Sequence, residues 1–240
     1  MPKPGAGMPP EVKAIVSGLA STKVIVAEVV QKLKLEQVPR KQIARDFDGI
    51  LQQMMGAGLD SLRRQQTVVV AKLVELYCGV EPKDPERAFT LIQKGFSSLG
   101  NQRKKRAGVH MERCAKWLLD RCRISNESKP VITGQSDLVV PNVKVLHERP
   151  ERAVVLEFKT TLRDRWKQVR DEIQRTKQPV WLLTLDDYVS NDNVDLMAAG
   201  GITLYVPERV FRGLKKRKGH LRSLKTLISD LEPLGKPQAR

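Results

Sequence analysis

Ser136-Asp137-Leu138-Val139-Val140-Pro141 and Val154-Val155-Leu156-Glu157-Phe158-Lys159 set the architecture of this chain. Both are apolar, β-branched runs interrupted by charge, and both read as strands. Side chains alternate faces along a strand, so Glu157 and Lys159 project together while Val154, Leu156 and Phe158 pack behind them. Asp137 heads the preceding run. Two acids and a lysine converging at one sheet edge can hold a divalent metal, with the lysine beside an attacking water. An isolated Glu-x-Lys pair is more often a solvated strand face. Here it interrupts an apolar strand, where charged side chains need partners.

The rest of the composition says what such a site would act on. The chain has 240 residues, with 43 Lys and Arg against 27 Asp and Glu, a formal net charge of +16. That imbalance attracts polyanions and makes their binding salt-dependent, so a phosphodiester is the natural substrate. Charge alone fits a ribosomal or RNA-binding protein equally well. Hydrophobic content of 40% and charged content of 29% are those of a soluble globular chain, long enough for a full core. Cys78, Cys114 and Cys122 cannot all pair and form no Cys-x-x-Cys unit, which argues against structural zinc and for reduced thiols in a cytoplasmic protein. No run reads as a transmembrane span, and Met1–Glu11 lacks the apolar region of a signal peptide.

Periodicity places helices over residues 10–36, with a break at Gly18 or at Ser21-Thr22, then over 41–55, 65–77 and 86–99. Gly56, Gly58, Gly79 and Gly100 are expected to end the last three. The basic run Asn101–Arg106 leads to a helix over 109–123, on which Glu112 lies beside the apolar stripe Met111, Ala115, Leu118, Leu119 and Cys122. Strands follow near 130–133, 137–146 and 152–159, then a helix over 163–175, strands at 180–185 and 202–206, and a basic helix at 221–231. This order predicts an α/β fold with a mixed central sheet flanked by helices. Residues 1–100 are expected to form a mostly helical subdomain for packing, dimerisation or DNA contacts, and 101–240 the core with a basic C-terminal segment. His110, His147 and His220 have no metal-ligand spacing and read as surface or phosphate-contacting residues. Trp117, Trp166 and Trp181 read as core, and Lys215–Lys218 as a nucleic-acid patch or a solvated loop.

The series Asp137, Lys159, Arg163-Asp164-Arg165 and Glu172 resembles the PD-(D/E)XK nucleases. More narrowly, it is similar to the type II restriction endonucleases that cut at CCGG, CCNGG or CCWGG sites. There an Asp about twenty residues before a Lys is followed by Lys-x3-Arg-acid-Arg and a displaced Glu on the next helix. The resemblance covers roughly residues 101–185. It implies a restriction-endonuclease-like core and Mg²⁺-dependent cleavage of double-stranded DNA, leaving 5′-phosphates and 3′-hydroxyls. It also implies a homodimer matching a palindromic site, and a cognate methyltransferase in the same system. Asp137 would be the central metal ligand, Lys159 the residue beside the attacking water, Glu112 a helix acid close to the metal, and Arg163, Asp164 and Arg165 the readers of C·G pairs. Two departures stand out. Ser136 replaces the usual Pro, and Glu157 stands two residues before the Lys, where the displaced-Glu branch commonly lacks an acid. Glu157 and Glu172 therefore compete for the second metal position. A non-enzymatic nucleic-acid-binding protein and a structure-specific repair nuclease of the same superfamily are the alternatives.

Overall fold

The apolar periodicity of the first half resolves into helices of very unequal length. A computed structural model of the chain describes residues 9–79, 84–128, 131–132, 134–135, 137–162, 179–214 and 219–235. Helices α1 (Pro10–Ser17) and α2 (Thr22–Lys32) part at Gly18–Ser21 as expected, with the Ser21 hydroxyl accepting from the Val24 N–H as N-cap. Contrary to the expectation from sequence, Pro10–Lys32 is apolar and long enough to pass for a membrane span. Its Val12, Val16, Ile25, Val26, Val29 and Val30 are buried within the protein, which accounts for the hydropathy.

After α3 (Arg40–Arg45) come two long helices, α4 (Phe47–Cys78) and α5 (Pro85–Arg121). The expected breaks at Gly56, Gly58 and Gly100 do not occur. A glycine inside a helix costs about 1 kcal/mol relative to alanine, which a long packed face outweighs. Gly58 has a positive reason to be there: a Cβ at that position would lie 1.8 Å from Nε2 of His110, whose ring crosses α4 at this point. His110 is fully buried on α5, not a surface or phosphate-contacting residue, with Nε2 3.3 Å from the Met54 carbonyl and 3.4 Å from Cys114 Sγ. Burial pushes its pKa down, against the pull of the Met54 hydrogen bond, so the imidazole is neutral and donates from Nε2. Burial likewise pushes the Cys114 thiol up to about 12.

The second half builds a sheet. Strands β1 (Glu127–Ser128), β4 (Leu138–Val140), β5 (Val154–Lys159), β6 (Val180–Thr184), β7 (Ile202–Val206) and β8 (Leu221–Ser223) lie side by side in that order. Pairing is antiparallel from β1 to β5 and parallel from β5 to β8, so the sheet is mixed as predicted. Between β1 and β4, β2 (Val131–Ile132) and β3 (Gly134–Gln135) pair as a small hairpin. Both outer strands are short, β1 having two residues and β8 three.

Alternation along the strands feeds two cores. Val140, Val154, Leu156, Phe158, Leu183 and Tyr205 face α2–α5 and the C-terminal helix α9 (Leu227–Gly235), which follows the short α8 (Glu208–Gly213). Val139, Val155, Val180, Leu182, Leu204 and Val206 face α6 (Val143–Glu148) and α7 (Asn191–Ala199) through Leu146, Val194 and Met197. Helix α5 runs unbroken through residue 100, and the first core joins the N-terminal helices to the sheet. Trp117 and Trp181 pack against that core, as expected; Trp166 lies outside the described residues.

Two predicted elements change identity. The second half of the expected strand at 137–146 is α6, because the Asn142 side chain caps it by accepting from the Val145 N–H. The expected helix at 221–231 begins as β8, with Leu221 paired to Leu204, and turns through Leu224–Thr226 before α9 starts. The helix expected over 163–175 and the basic run 215–218 lie outside the described residues.

The glycine assignments are testable by denaturant unfolding. Gly58→Ala forces a methyl into a buried ring and is expected to lower stability by about 1–3 kcal/mol. Gly100→Ala, with open space at its Cβ position, is expected to raise it by up to about 1 kcal/mol.

Candidate active site

The antiparallel register of β4 and β5 pairs Leu138 with Leu156. Asp137, one residue earlier, is thereby set against Glu157, and the two-residue period of β5 puts Lys159 on the same face. The carboxylate of Asp137 accepts from the Phe158 N–H at 2.8 Å, which pins it to the strand that carries the other two. Lys159 Nζ lies 3.0 Å from Glu157 Oε2 and 3.8 Å from Asp137 Oδ2. Glu157 is only 3% exposed.

Burial penalises the Lys159 ammonium, but Glu157, Asp137 and, from α5, Glu112 outweigh it and raise its pKa above the ordinary lysine value. Lysine is therefore a cation in this site. Glu112, on α5, contributes least of the three. The structure thus gathers Asp137, Glu157 and Lys159, with Glu112 within electrostatic range. Glu172, Arg163, Asp164 and Arg165 lie outside the described residues. Among the described residues, no three His, Cys, Asp or Glu side chains converge as a complete metal cage. Asp137 and Glu157 nonetheless fit a divalent cation: both turn a hard oxygen toward one point, where a positive charge, the ammonium, already sits.

One residue escaped the sequence reading. Asp186, two residues beyond the end of β6, accepts from the Leu162 N–H at 2.8 Å and from the Tyr188 N–H at 3.1 Å. Its own N–H donates to the hydroxyl of Thr184, the fully buried residue that pairs with Lys159. An acid just past an apolar strand is a turn signal, but its link to Leu162 follows only from the pairing of β5 with β6.

A family model described as EcoRII C terminal matches residues 87–228, a segment that includes Glu112, Asp137, Glu157, Lys159, Arg163, Asp164, Arg165 and Glu172. The chain belongs to the EcoRII C-terminal family. It is 28% identical over 161 residues to the type II restriction enzyme EcoRII of Escherichia coli, covering 60% of this chain and 40% of that protein. It is also 28% identical over 142 residues to the type II restriction enzyme SsoII of Shigella sonnei, covering 52% of this chain and 46% of that protein. The chain thus spans less than half the length of either relative. Its fold matches metal-depleted Ecl18kI in complex with uncleaved, modified DNA, with a TM-score of 0.79 and 20% identity over 93% of this chain and 81% of that one. It also matches restriction endonuclease PspGI in a substrate DNA complex, with a TM-score of 0.70 and 16% identity over 92% of this chain and 95% of that one. The resemblance to this branch of restriction endonucleases, first read from a few residues, is borne out.

If Asp137 and Glu157 form a cation site, millimolar Ca²⁺ should stabilise the wild-type protein by about 1–3 kcal/mol in thermal melts. Asp137→Asn should abolish that shift. Lys159→Met, which removes the competing ammonium, should enlarge it; a shift unchanged in both variants would place the cation elsewhere.

Proposed function

We propose that this protein is a divalent-metal-dependent, sequence-specific endonuclease of double-stranded DNA, acting as a homodimer on a short palindrome containing CC/GG. The observation that carries this reading is the convergence of Asp137, Glu157 and Lys159 inside the segment that matches the family. Asp137, with Glu157 or Glu172 as the second carboxylate, would hold Mg²⁺. Bound there, the ion would neutralise phosphate charge and acidify water.

The chain's own groups do the rest. The Phe158 N–H holds Asp137 in place. Lys159, set between its carboxylates, would position or activate the attacking water and offset the charge that builds on the phosphoryl oxygens. Water gives up a proton and attacks phosphorus, the bond to the 3′ oxygen breaks, and that oxygen takes up a proton, so that 5′-phosphate and 3′-hydroxyl ends result. A twofold dimer supplies one such site per strand. A methyltransferase protecting the same sequence is the functional companion of such an enzyme.

The direct test is incubation of plasmid DNA with Mg²⁺ or with EDTA, followed by sequencing of the ends. Discrete fragments with one common end sequence, formed only with metal, are expected. Intact but shifted plasmid under both conditions would instead mark a non-catalytic binder, and ends of random sequence a structure-specific nuclease. Asp137→Ala and Lys159→Ala should each abolish cleavage. Of Glu157→Ala and Glu172→Ala, at least one should lose nearly all activity.

Arg163 and Arg165 are proposed to donate to guanine O6 and N7, with Asp164 accepting from cytosine N4. Their place four to six residues after Lys159 in the family-matched segment supports this. Arg163→Ala and Arg165→Ala should each cost about 1–3 kcal/mol against the cognate duplex only. A competition binding assay in Ca²⁺ reads this as the cognate-to-random ratio; an unchanged ratio would make them phosphate contacts.

A further inference from the structure

We propose that the loop leaving β6, Asp186–Tyr188, is a second DNA-contacting element, tied to the catalytic strand through Asp186; this rests on the nuclease reading above. Strands β5, β6 and β7 run parallel, so their carboxyl ends form one edge of the sheet. Lys159 and its partner Thr184 both sit on it. A duplex whose scissile phosphate lies over Asp137 and Lys159 runs along this edge, and ligands of sheets with parallel strands bind beyond those ends.

The loop at that edge is built, not slack. The two oxygens of Asp186 take backbone N–H groups from two different segments, Leu162 three residues past Lys159 and Tyr188. Thr184, buried beneath, anchors the Asp186 N–H. Asp187 pairs with Arg209 on the short helix that follows β7, an exposed contact between the two loops at this edge.

What this frame presents is a tyrosine. Tyr188 is 82% exposed, the highest among the large hydrophobic side chains of the described residues. A fixed backbone that holds a broad ring in water gives it a rigid, amphipathic contact surface at low entropic cost. On a chain of net charge +16, four residues past the strand partner of Lys159, the chemistry it fits is the sugar–phosphate backbone next to the cut. There the ring covers deoxyribose and the hydroxyl donates to a phosphate oxygen. Asp186 in turn is a positioning residue: by holding the Leu162 N–H it fixes the backbone three residues past Lys159.

The test compares Tyr188→Ala, Tyr188→Phe, Asp186→Ala and Asp186→Asn with wild type, after melts confirm folding. Binding to cognate and random duplexes is measured in Ca²⁺, and single-turnover cleavage at saturating DNA in Mg²⁺. Tyr188→Ala should weaken both duplexes alike, by about tenfold, with Tyr188→Phe between it and wild type. Asp186→Ala should reproduce that loss and also slow cleavage at saturating DNA about tenfold. Asp186→Asn, which keeps one acceptor oxygen, should recover part of the rate. Tyr188→Ala binding within about twofold of wild type would overturn the contact, and its exposed position makes misfolding no escape. Asp186→Ala cleaving at the wild-type rate would overturn the tie. Wild-type protein that neither binds nor cuts duplex DNA would overturn the nuclease reading itself, a separate failure.

Discussion

The ion pair between Glu157 and Lys159 is the constraint around which the sheet half is arranged. A carboxylate 3% exposed is tolerated as a charge only with a cation in contact. The strand period supplies that cation two residues away, on the same face. The pair in turn commits β5 to one orientation: Val154, Leu156 and Phe158 must enter the core shared with the N-terminal helices. A slip of one residue would drive both charges into that core. The Asp137 carboxylate, bonded to the Phe158 N–H, then locks β4 to β5 at the point where the chemistry is assembled.

This arrangement keeps an acidic site compatible with a folded protein before any cation arrives. Two carboxylates and a third from α5 would repel one another; the raised pKa of Lys159 is the measure of how strongly they hold its proton. The sign has a consequence for stability. A lysine whose pKa rises on folding contributes fully below its unfolded value, and the contribution is lost only as pH climbs through the folded one. Across the neutral range the stabilisation is therefore constant, and pH sensitivity there has other sources. One is His110, neutral in the core with a lowered pKa; it favours the folded state above its unfolded value and withdraws that support as pH falls.

The sheet, its mixed sense and the pairing of Asp137 with Glu157 and Lys159 were legible because alternation and β-branching are local signals. Helix lengths were not. The sequence displays the intrinsic cost of Gly56, Gly58 and Gly100 but not what lies opposite them, and at Gly58 the missing side chain is what admits the His110 ring. The same blindness misplaced His110, since nothing in its neighbours along the chain reveals that α4 covers it. Residues 143–146 look like strand by composition, and only the bond from the Val145 N–H to Asn142 decides for helix. Asp186 was invisible for a different reason: both of its side-chain partners are backbone N–H groups, and one, that of Leu162, lies 24 residues earlier in the chain, across the pairing of β5 with β6.

The sheet's margins carry a last consequence. With an outer strand of two residues on one side and three on the other, neither border offers, among the described residues, a ladder of open N–H and C=O groups long enough to template another chain. Growth by strand addition, the commonest hazard of an open sheet, is thereby closed off at both sides. Association between copies of this protein must be written in helices and loops, where the side chains, not the backbone, choose the partner.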